Sequence, residues 1–298
     1  MAWDLLPMEK YRNTVHFSLT NNNDRTPFAA LYTSLGCPYK CDFCCINAPF
    51  GKSVFRYWNP EFIITEFDKI ANMGIRNIKI ADEMFVLNKN HFLKICDLLI
   101  ERQYDFNIAA YARVDTVKEE YLEKLKKAGV NWLALGIESG NRKIRVDSVK
   151  GKFREVDVKD IVDKIESFDI EIISNYMFGM SGDTHETMQQ TLDLATELNT
   201  SSANFNPTMI FPGSPLFTEA YNKGIELPPT YSGYSYYSKD SFPNPTETLS
   251  REEILKFRDD AFQIYFNRSE WFDKIKRKLG QEAVDIYKDV LKIKLERD

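Results

Sequence analysis

Between residues 28 and 217 short apolar runs alternate with longer amphipathic ones, and this alternation constrains the fold more than any other feature of the chain. Strand-type runs lie at 28–33, 77–81, 107–112, 132–136, 171–178 and 204–211, and helical patterns at 61–71, 89–102, 118–128, 158–168 and from Thr184 to about Leu198. The punctuation agrees. Pro60 suits a helix first turn, Gly74 and Gly129 follow helix ends, and Asp183-Thr184-His185-Glu186 reads as a cap. Strands separated by helices pair in parallel, and right-handed crossovers leave an open doubly wound sheet or a barrel as the main arrangements. Either one puts chemistry at the carboxyl ends of the strands.

The flanks read differently. Residues 1–27 mix apolar anchors with a proline and end in the turn formers Asn21-Asn22-Asn23-Asp24-Arg25, a short docking segment followed by a loop. Gly51 to Trp58 is aromatic and basic without helical period and reads as loop. Past Phe217 the alternation stops at a long tyrosine-rich stretch holding Tyr231, Tyr234, Tyr236 and Tyr237. Ser250 and Glu253 form a capping box for a helix to about Phe266, and 271–295 looks helical with alternating charge. The expected organisation is therefore a docking segment at 1–27, a core at 28–217, and a mainly helical C-terminal extension at 218–298 with too little apolar content for a core of its own.

Composition narrows the partners. The chain has 298 residues, 43% of them hydrophobic, enough for one large core, and its net charge of −5 supplies no general attraction to nucleic acid or an anionic membrane. The basic stretch from Arg142 to Arg154 reads as a solvated face. No apolar run has membrane-spanning length and the first thirty residues lack a secretion signal, so the expected location is cytoplasmic.

Four of the five cysteines crowd into one loop after the first strand: Cys37, Cys41, Cys44 and Cys45, with Cys96 apart on a helix. That is poor material for disulfides and good material for a reduced metal site. The spacing C-x-x-x-C-x-x-C suits zinc or an iron–sulfur cluster, and it differs from the paired knuckles of structural zinc sites. A cluster with one iron left open is the first reading.

Cys37, Cys41 and Cys44, with Phe43 before the third cysteine, resemble the signature of the radical S-adenosylmethionine superfamily. Gly136-Ile137-Glu138-Ser139-Gly140, the stretch from Tyr176 to Glu186, and Phe211-Pro212-Gly213-Ser214-Pro215-Leu216 resemble further stretches of that superfamily in the same order, over about residues 28–217. The resemblance implies a partial (β/α)6 TIM-like barrel carrying a [4Fe–4S] cluster held by Cys37, Cys41 and Cys44. It also implies that the open iron takes the amino and carboxylate groups of S-adenosyl-L-methionine, cleaved by an electron from an external donor to a 5′-deoxyadenosyl radical that modifies a small-molecule or biosynthetic-intermediate substrate. Cys45 is then a bystander.

The resemblance also assigns cofactor contacts. Phe43 becomes a wall beside the cluster and adenosine, and Asp82 or Glu83 accepts from the cofactor's ammonium where the family often has G-G-E. Glu138 and Ser139 address the ribose or the methionyl carboxylate, with Ser174 and Asn175 one strand over. Met177 and Phe178 line the adenine site, and Arg113 pairs a carboxylate. On residue chemistry alone the plainer readings stay open: a capping pair at Asp82 and Glu83, a tight turn at 136–140, a structural Arg113, and core packing for Met177 and Phe178.

Trp3-Asp4-Leu5-Leu6-Pro7, Asp82-Glu83-Met84-Phe85 and Arg113-Val114-Asp115 further resemble the subgroup whose radical domain follows a cobalamin-binding domain. The sequence holds no D-x-H-x-x-G loop, and His16, His91 and His185 stand in other contexts. The expectation is that cobalamin is unused, or that a separate cobalamin-binding protein brings it for radical methyl transfer. A non-catalytic, cluster-binding partner subunit is the alternative of another class.

Overall fold

In the computed structural model, which describes residues 1–12, 27–148 and 156–297, the strands of the alternation form one parallel sheet. Its members are β1 (Phe28–Leu31), β4 (Asn77–Ile80), β5 (Asn107–Arg113), β6 (Val130–Glu138), β7 (Glu171–Phe178) and β8 (Ser202–Pro207), side by side in that order. Spatial order follows chain order, so every crossover returns to the adjacent position and no switch point divides the sheet. That is the wall of a barrel, not a doubly wound sheet. Among the described residues β1 and β8 do not pair, and the barrel is partial.

The crossover helices are α1 (Pro60–Asn72), α2 (Lys89–Arg102), α3 (Glu119–Lys127), α4 (Arg142–Ser148), α5 (Val158–Ser167) and α6 (His185–Leu198). Side-chain caps start several of them. Asn59 accepts from the Glu61 amide before α1, Asp157 from that of Asp160 before α5, and Thr184 and Thr187 close a capping box on α6. The strands present Ile78, Ile80, Leu133, Leu135, Tyr176 and Phe205 to a single hydrophobic core shared with these helices. No described helix is long and apolar enough to cross a membrane.

Four readings of the sequence are corrected. Residues 51–58 are not all loop: β3 (Arg56–Tyr57) pairs antiparallel with β2 (Ser34–Leu35), a small ladder that braces the start of the cysteine loop. The sixth strand ends at Pro207, not Phe211, because the Thr208 carbonyl beyond it accepts from the Asn244 amide of the later loop. The alternation does not stop at Phe217. Ser214 accepts from the Phe217 amide and Pro215 fills the first turn of α7 (Pro215–Asn222), so a further helix starts there. Finally, the basic stretch opens with α4, on which Arg142 and Lys143 are exposed as a solvated face would be, but Arg145 is buried with its guanidinium donating to the Ser139 carbonyl. Lys150, Lys152 and Arg154 lie outside the described residues, as does the run 21–25.

After α7 the chain forms a long irregular segment and then α8 (Arg251–Phe266), α9 (Ser269–Leu279) and α10 (Gln281–Leu291). The capping box expected at Ser250 and Glu253 is present. The helical stretch 271–295 is two helices, broken at Gly280, whose φ of +86° no helix accommodates. Trp3 and Met8 tuck into the same core, and the Trp3 indole donates to Glu66 on α1 at 2.9 Å.

Candidate functional site

The cysteine loop leaves β2 at Gly36, with φ +84° and so little room that a Cβ would lie 2.4 Å from the Val54 carbonyl oxygen. Neighbours on several elements then hold it over the carboxyl mouth of the barrel. Asp42 donates its amide to Ser148 at the end of α4 and accepts from the Leu216 amide on α7, while Asn47 donates to the Tyr39 carbonyl at 2.9 Å. Gly213 packs so closely that a Cβ would meet that of Ala48 at 2.4 Å. Phe43 packs on Ile144, Met177 and Met180, joining the loop to α4 and the end of β7.

The three thiols feel one another. Burial pushes Cys44 up to about 11, helped by Cys37 and Cys45 and opposed by a backbone hydrogen bond at Ile46. Cys41 is pushed up further by burial, then by Glu138, Cys44 and Cys37, with Arg113 pulling back. Burial also raises Cys37, against a backbone hydrogen bond at Tyr39 and the charge of Arg113. All five cysteines are free thiols. Among the described residues no three Cys, His, Asp or Glu side chains are grouped as ligands of a single metal ion. Tetrahedral zinc needs its sulfurs about 2.3 Å from one point, whereas a cluster takes each thiolate at a separate iron.

Charged groups rim this space. Arg113, at the end of β5, grips Asp115 through two hydrogen bonds and lies 3.7 Å over the Tyr39 ring, so its bidentate partner is a carboxylate of its own chain. Glu138 ends β6 with φ +67°, and its side chain folds back where a Cβ on Gly136 would come within 2.6 Å of Oε1. Removal from water pushes its carboxyl up to about 7, with Arg113 opposing. Glu83 accepts from the Gly36 amide at 3.0 Å and is raised mainly by burial, next to Cys37.

The other expected residues sit differently. Asp82 is fully buried and accepts from the Thr33 amide, the Thr33 hydroxyl and the Ser34 hydroxyl at 2.5–2.6 Å, tying β4 to the β1–β2 junction. The Ser139 hydroxyl turns toward Thr191 on α6 and accepts from the Asn141 amide. Ser174 bonds Thr200 and the Ser202 carbonyl, and the Phe178 ring packs against Phe205 and Phe257 on the helix side. Asn175 faces the barrel interior, where it accepts from the Asn204 amide at 2.9 Å.

One residue of the tyrosine stretch turns toward the mouth. Tyr236 is raised to about 12 by burial and then by the charges of Glu138, Tyr237, Cys45 and Cys44, which puts its phenol beside the cysteine loop. Its ring lies 5.9 Å from that of Phe211. Tyr231 is 97% exposed. The enrichment in tyrosine flagged the stretch, but nothing local distinguished the inward residue from its neighbours.

A model of the radical SAM superfamily matches residues 31–195, more than half of the chain. The chain belongs to this superfamily. It is 28% identical over 90% of its length to an uncharacterized methyltransferase of Pyrococcus horikoshii, covering 55% of that protein. A hopanoid C-2 methylase of Rhodopseudomonas palustris is 28% identical over 64% of the chain and is itself 37% covered. The chain thus spans about half, or less, of the curated relatives it matches. Among solved structures, the radical S-adenosylmethionine methyltransferase TsrM from Kitasatospora setae, with cobalamin and a [4Fe–4S] cluster bound, superposes with a TM-score of 0.62 at 20% identity, covering 69% of this chain and 42% of that one. That likeness bears on the radical SAM barrel itself.

Proposed function

We propose that the chain is a radical SAM enzyme in which Cys37, Cys41 and Cys44 hold three irons of a [4Fe–4S] cluster and leave the fourth open. The observation that carries this is the loop bearing Cys37, Cys41 and Cys44, which is held over the carboxyl mouth of the barrel by α4, α7 and Asn47, with Cys41 and Cys44 each raised in part by the other thiols. When bound, the cluster supplies the electron for reductive cleavage of S-adenosyl-L-methionine. As free thiols the three are pushed toward the neutral form, and iron would remove their protons outright. Arg113 fixes Tyr39 in the cysteine loop and sets a positive charge beside the thiolates.

Of the two acidic residues after β4, Glu83 is the acceptor for the cofactor's ammonium, since both oxygens of Asp82 are engaged by Thr33 and Ser34. Phe43 and Met177 wall the adenosine, Glu138 addresses its polar edge, and Cys45 takes no iron. Residues 28–217 form the radical core, and the segment from 218 onward closes the substrate side through Tyr236. The reduced thiols suit a cytoplasmic enzyme with an external electron donor and a small-molecule substrate.

A second reading, radical methyl transfer with cobalamin delivered by a separate protein, is favoured by the methyltransferase names of the relatives. One experiment addresses both, and also the partner-subunit alternative. The protein reconstituted anaerobically with iron and sulfide is given S-adenosylmethionine and a reductant, with and without cobalamin. We expect a [4Fe–4S] paramagnetic signal and 5′-deoxyadenosine, and loss of both in Cys41→Ala. S-adenosylhomocysteine appearing only with cobalamin would establish methyl transfer. Zinc in place of iron with no cleavage, or cleavage undiminished in Cys41→Ala, overturns the proposal.

A further inference from the structure

β8 is the last strand of the wall, and the C-terminal extension builds over its free edge. The Thr208 amide donates to the Phe178 carbonyl, so alternate residues from Ser202 to Thr208 turn their backbone groups toward β7. Ala203 and Phe205 turn theirs the other way, where no strand pairs with them among the described residues. The buried Arg258 of α8 takes one of these groups, donating Nε to the Phe205 carbonyl at 2.8 Å. The amides of Ala203 and Phe205 make no hydrogen bond across this edge with the described residues.

Beside the edge lies a cavity of about 600 Å³, within the size range of small-molecule sites. Phe205, Tyr237, Phe262, Val290, Ile293 and Leu295 give it an apolar wall. Part of that wall is the stretch after α10, held down where the Arg297 guanidinium bonds both oxygens of Asp259. Tyr237 and Ile293 stay 59% and 64% exposed, so the apolar surface is open to a ligand. The cavity also reaches the reaction zone on two sides. Asn204 lines it and bonds Asn175 in the barrel interior, and Tyr237 sits edge-to-face against Tyr236, the residue beside the cysteine loop.

Its charges favour an anion. Asp259 is shared by Arg258 and Arg297, and Asp260 pairs with Lys256 at 2.6 Å. Lys294, also in the lining, makes no hydrogen bond or ion pair with the described residues and is the cation left uncompensated.

We infer that this cavity binds an amphipathic acid, an oxyanion on a mainly apolar body, with the body against the aromatic and aliphatic wall and the oxyanion at Lys294. Calling that acid the substrate rests on the radical SAM reading above; the binding site rests on the cavity alone.

The test is calorimetric titration of the full chain with hexanoate, octanoate and decanoate, below micelle-forming concentrations, and with octanol as the uncharged match. One molecule should bind per chain, with affinity rising about fourfold for each added methylene. Octanoate should bind about two- to fivefold tighter than octanol, the scale of an exposed ion pair. Lys294→Met should remove that advantage and keep the dependence on chain length. Ile293→Asp, a change at an exposed position, should weaken every alkanoate about tenfold or more with no change in the urea midpoint. Absence of saturable binding, affinity indifferent to chain length, an acid advantage that survives in Lys294→Met, or binding undiminished in Ile293→Asp overturns the inference. Self-association that Ile293→Asp abolishes, with no alkanoate bound, would give the surface to a second copy of the chain and overturn it equally. Alkanoate binding without S-adenosylmethionine cleavage by the reconstituted protein would overturn the enzymatic reading and spare the site; cleavage without such binding would do the reverse.

Discussion

Asp82 shows how a single buried carboxylate can tie a barrel strand to the segment that leads into the cysteine loop. Burial raises its pKa although three hydrogen bonds favour the charged form, so desolvation wins. Asp82→Ala strands the Thr33 amide and two hydroxyls and should cost about 2–4 kcal/mol, read as a lower urea midpoint. Asp82→Asn keeps a carbonyl for the Thr33 amide and should cost less. The pH dependence follows from the sign of the shift. The folded state holds the proton more tightly than the unfolded one, so the penalty is absent below the unfolded pKa near 4 and grows as pH rises through the folded value. Wild type should lose stability across that interval relative to Asp82→Asn, and parallel profiles would refute the shift. None of this was readable locally, because Thr33 and Ser34 lie 49 and 48 residues away. The same holds for Arg113, whose partner Asp115 is close in sequence but whose seat on Tyr39 depends on how the cysteine loop folds over the mouth. The cysteines were legible because their spacing is itself the signal.

Elements were read best where period and cap coincide. α2 and β7 fall where hydrophobic spacing put them, and α8 begins at its capping box. The misreadings share a cause: at α4, α7 and the β2–β3 ladder, short segments carry too few residues to display a period, and tertiary partners decide their form. The irregular segment bearing Tyr236 is an extreme case, since its conformation is imposed from outside. The Arg297 guanidinium bonds both oxygens of Asp259 on α8 at 2.9 Å and also the carbonyls of Ser238 and Tyr236. Burial alone would raise Asp259, yet hydrogen bonds from Arg297 and Arg258 hold it below the usual carboxylate range. Arg297→Ala should therefore free the tyrosine segment, with amide hydrogen exchange over 232–242 faster by about tenfold or more, as expected for losing about 1.5–3 kcal/mol of charged hydrogen bonding. Unchanged exchange there would mean that the fold of the segment is set by its own contacts, such as the Phe242 amide to the Gly233 carbonyl.

At the scale of the molecule the barrel and the C-terminal helices share one hydrophobic core. Tyr265, Phe266, Trp271, Ile275 and Tyr287 are each at most 1% exposed and belong to the same hydrophobic cluster as β7 and β8. Polar contacts bind the same seam: the Tyr265 hydroxyl and the Trp271 indole both donate to the Thr200 carbonyl, at 2.8 and 3.1 Å, and Arg258 donates to that of Phe205 at 2.8 Å. These helices cover the outer faces of the last two strands, where a longer barrel would continue its ring of crossovers. Five large side chains returned to water would forfeit about 8–15 kcal/mol, at about 1.5–3 kcal/mol each, as much as the whole net stability of a typical domain. A chain truncated after Asn222 keeps every barrel strand and the cysteine loop, yet it should lose near-ultraviolet circular dichroism and unfold without a cooperative transition. If it instead unfolds cooperatively and still assembles a [4Fe–4S] cluster, the extension is a cover added to a self-sufficient core. Failure to fold would mean that these helices are part of what makes the barrel stable.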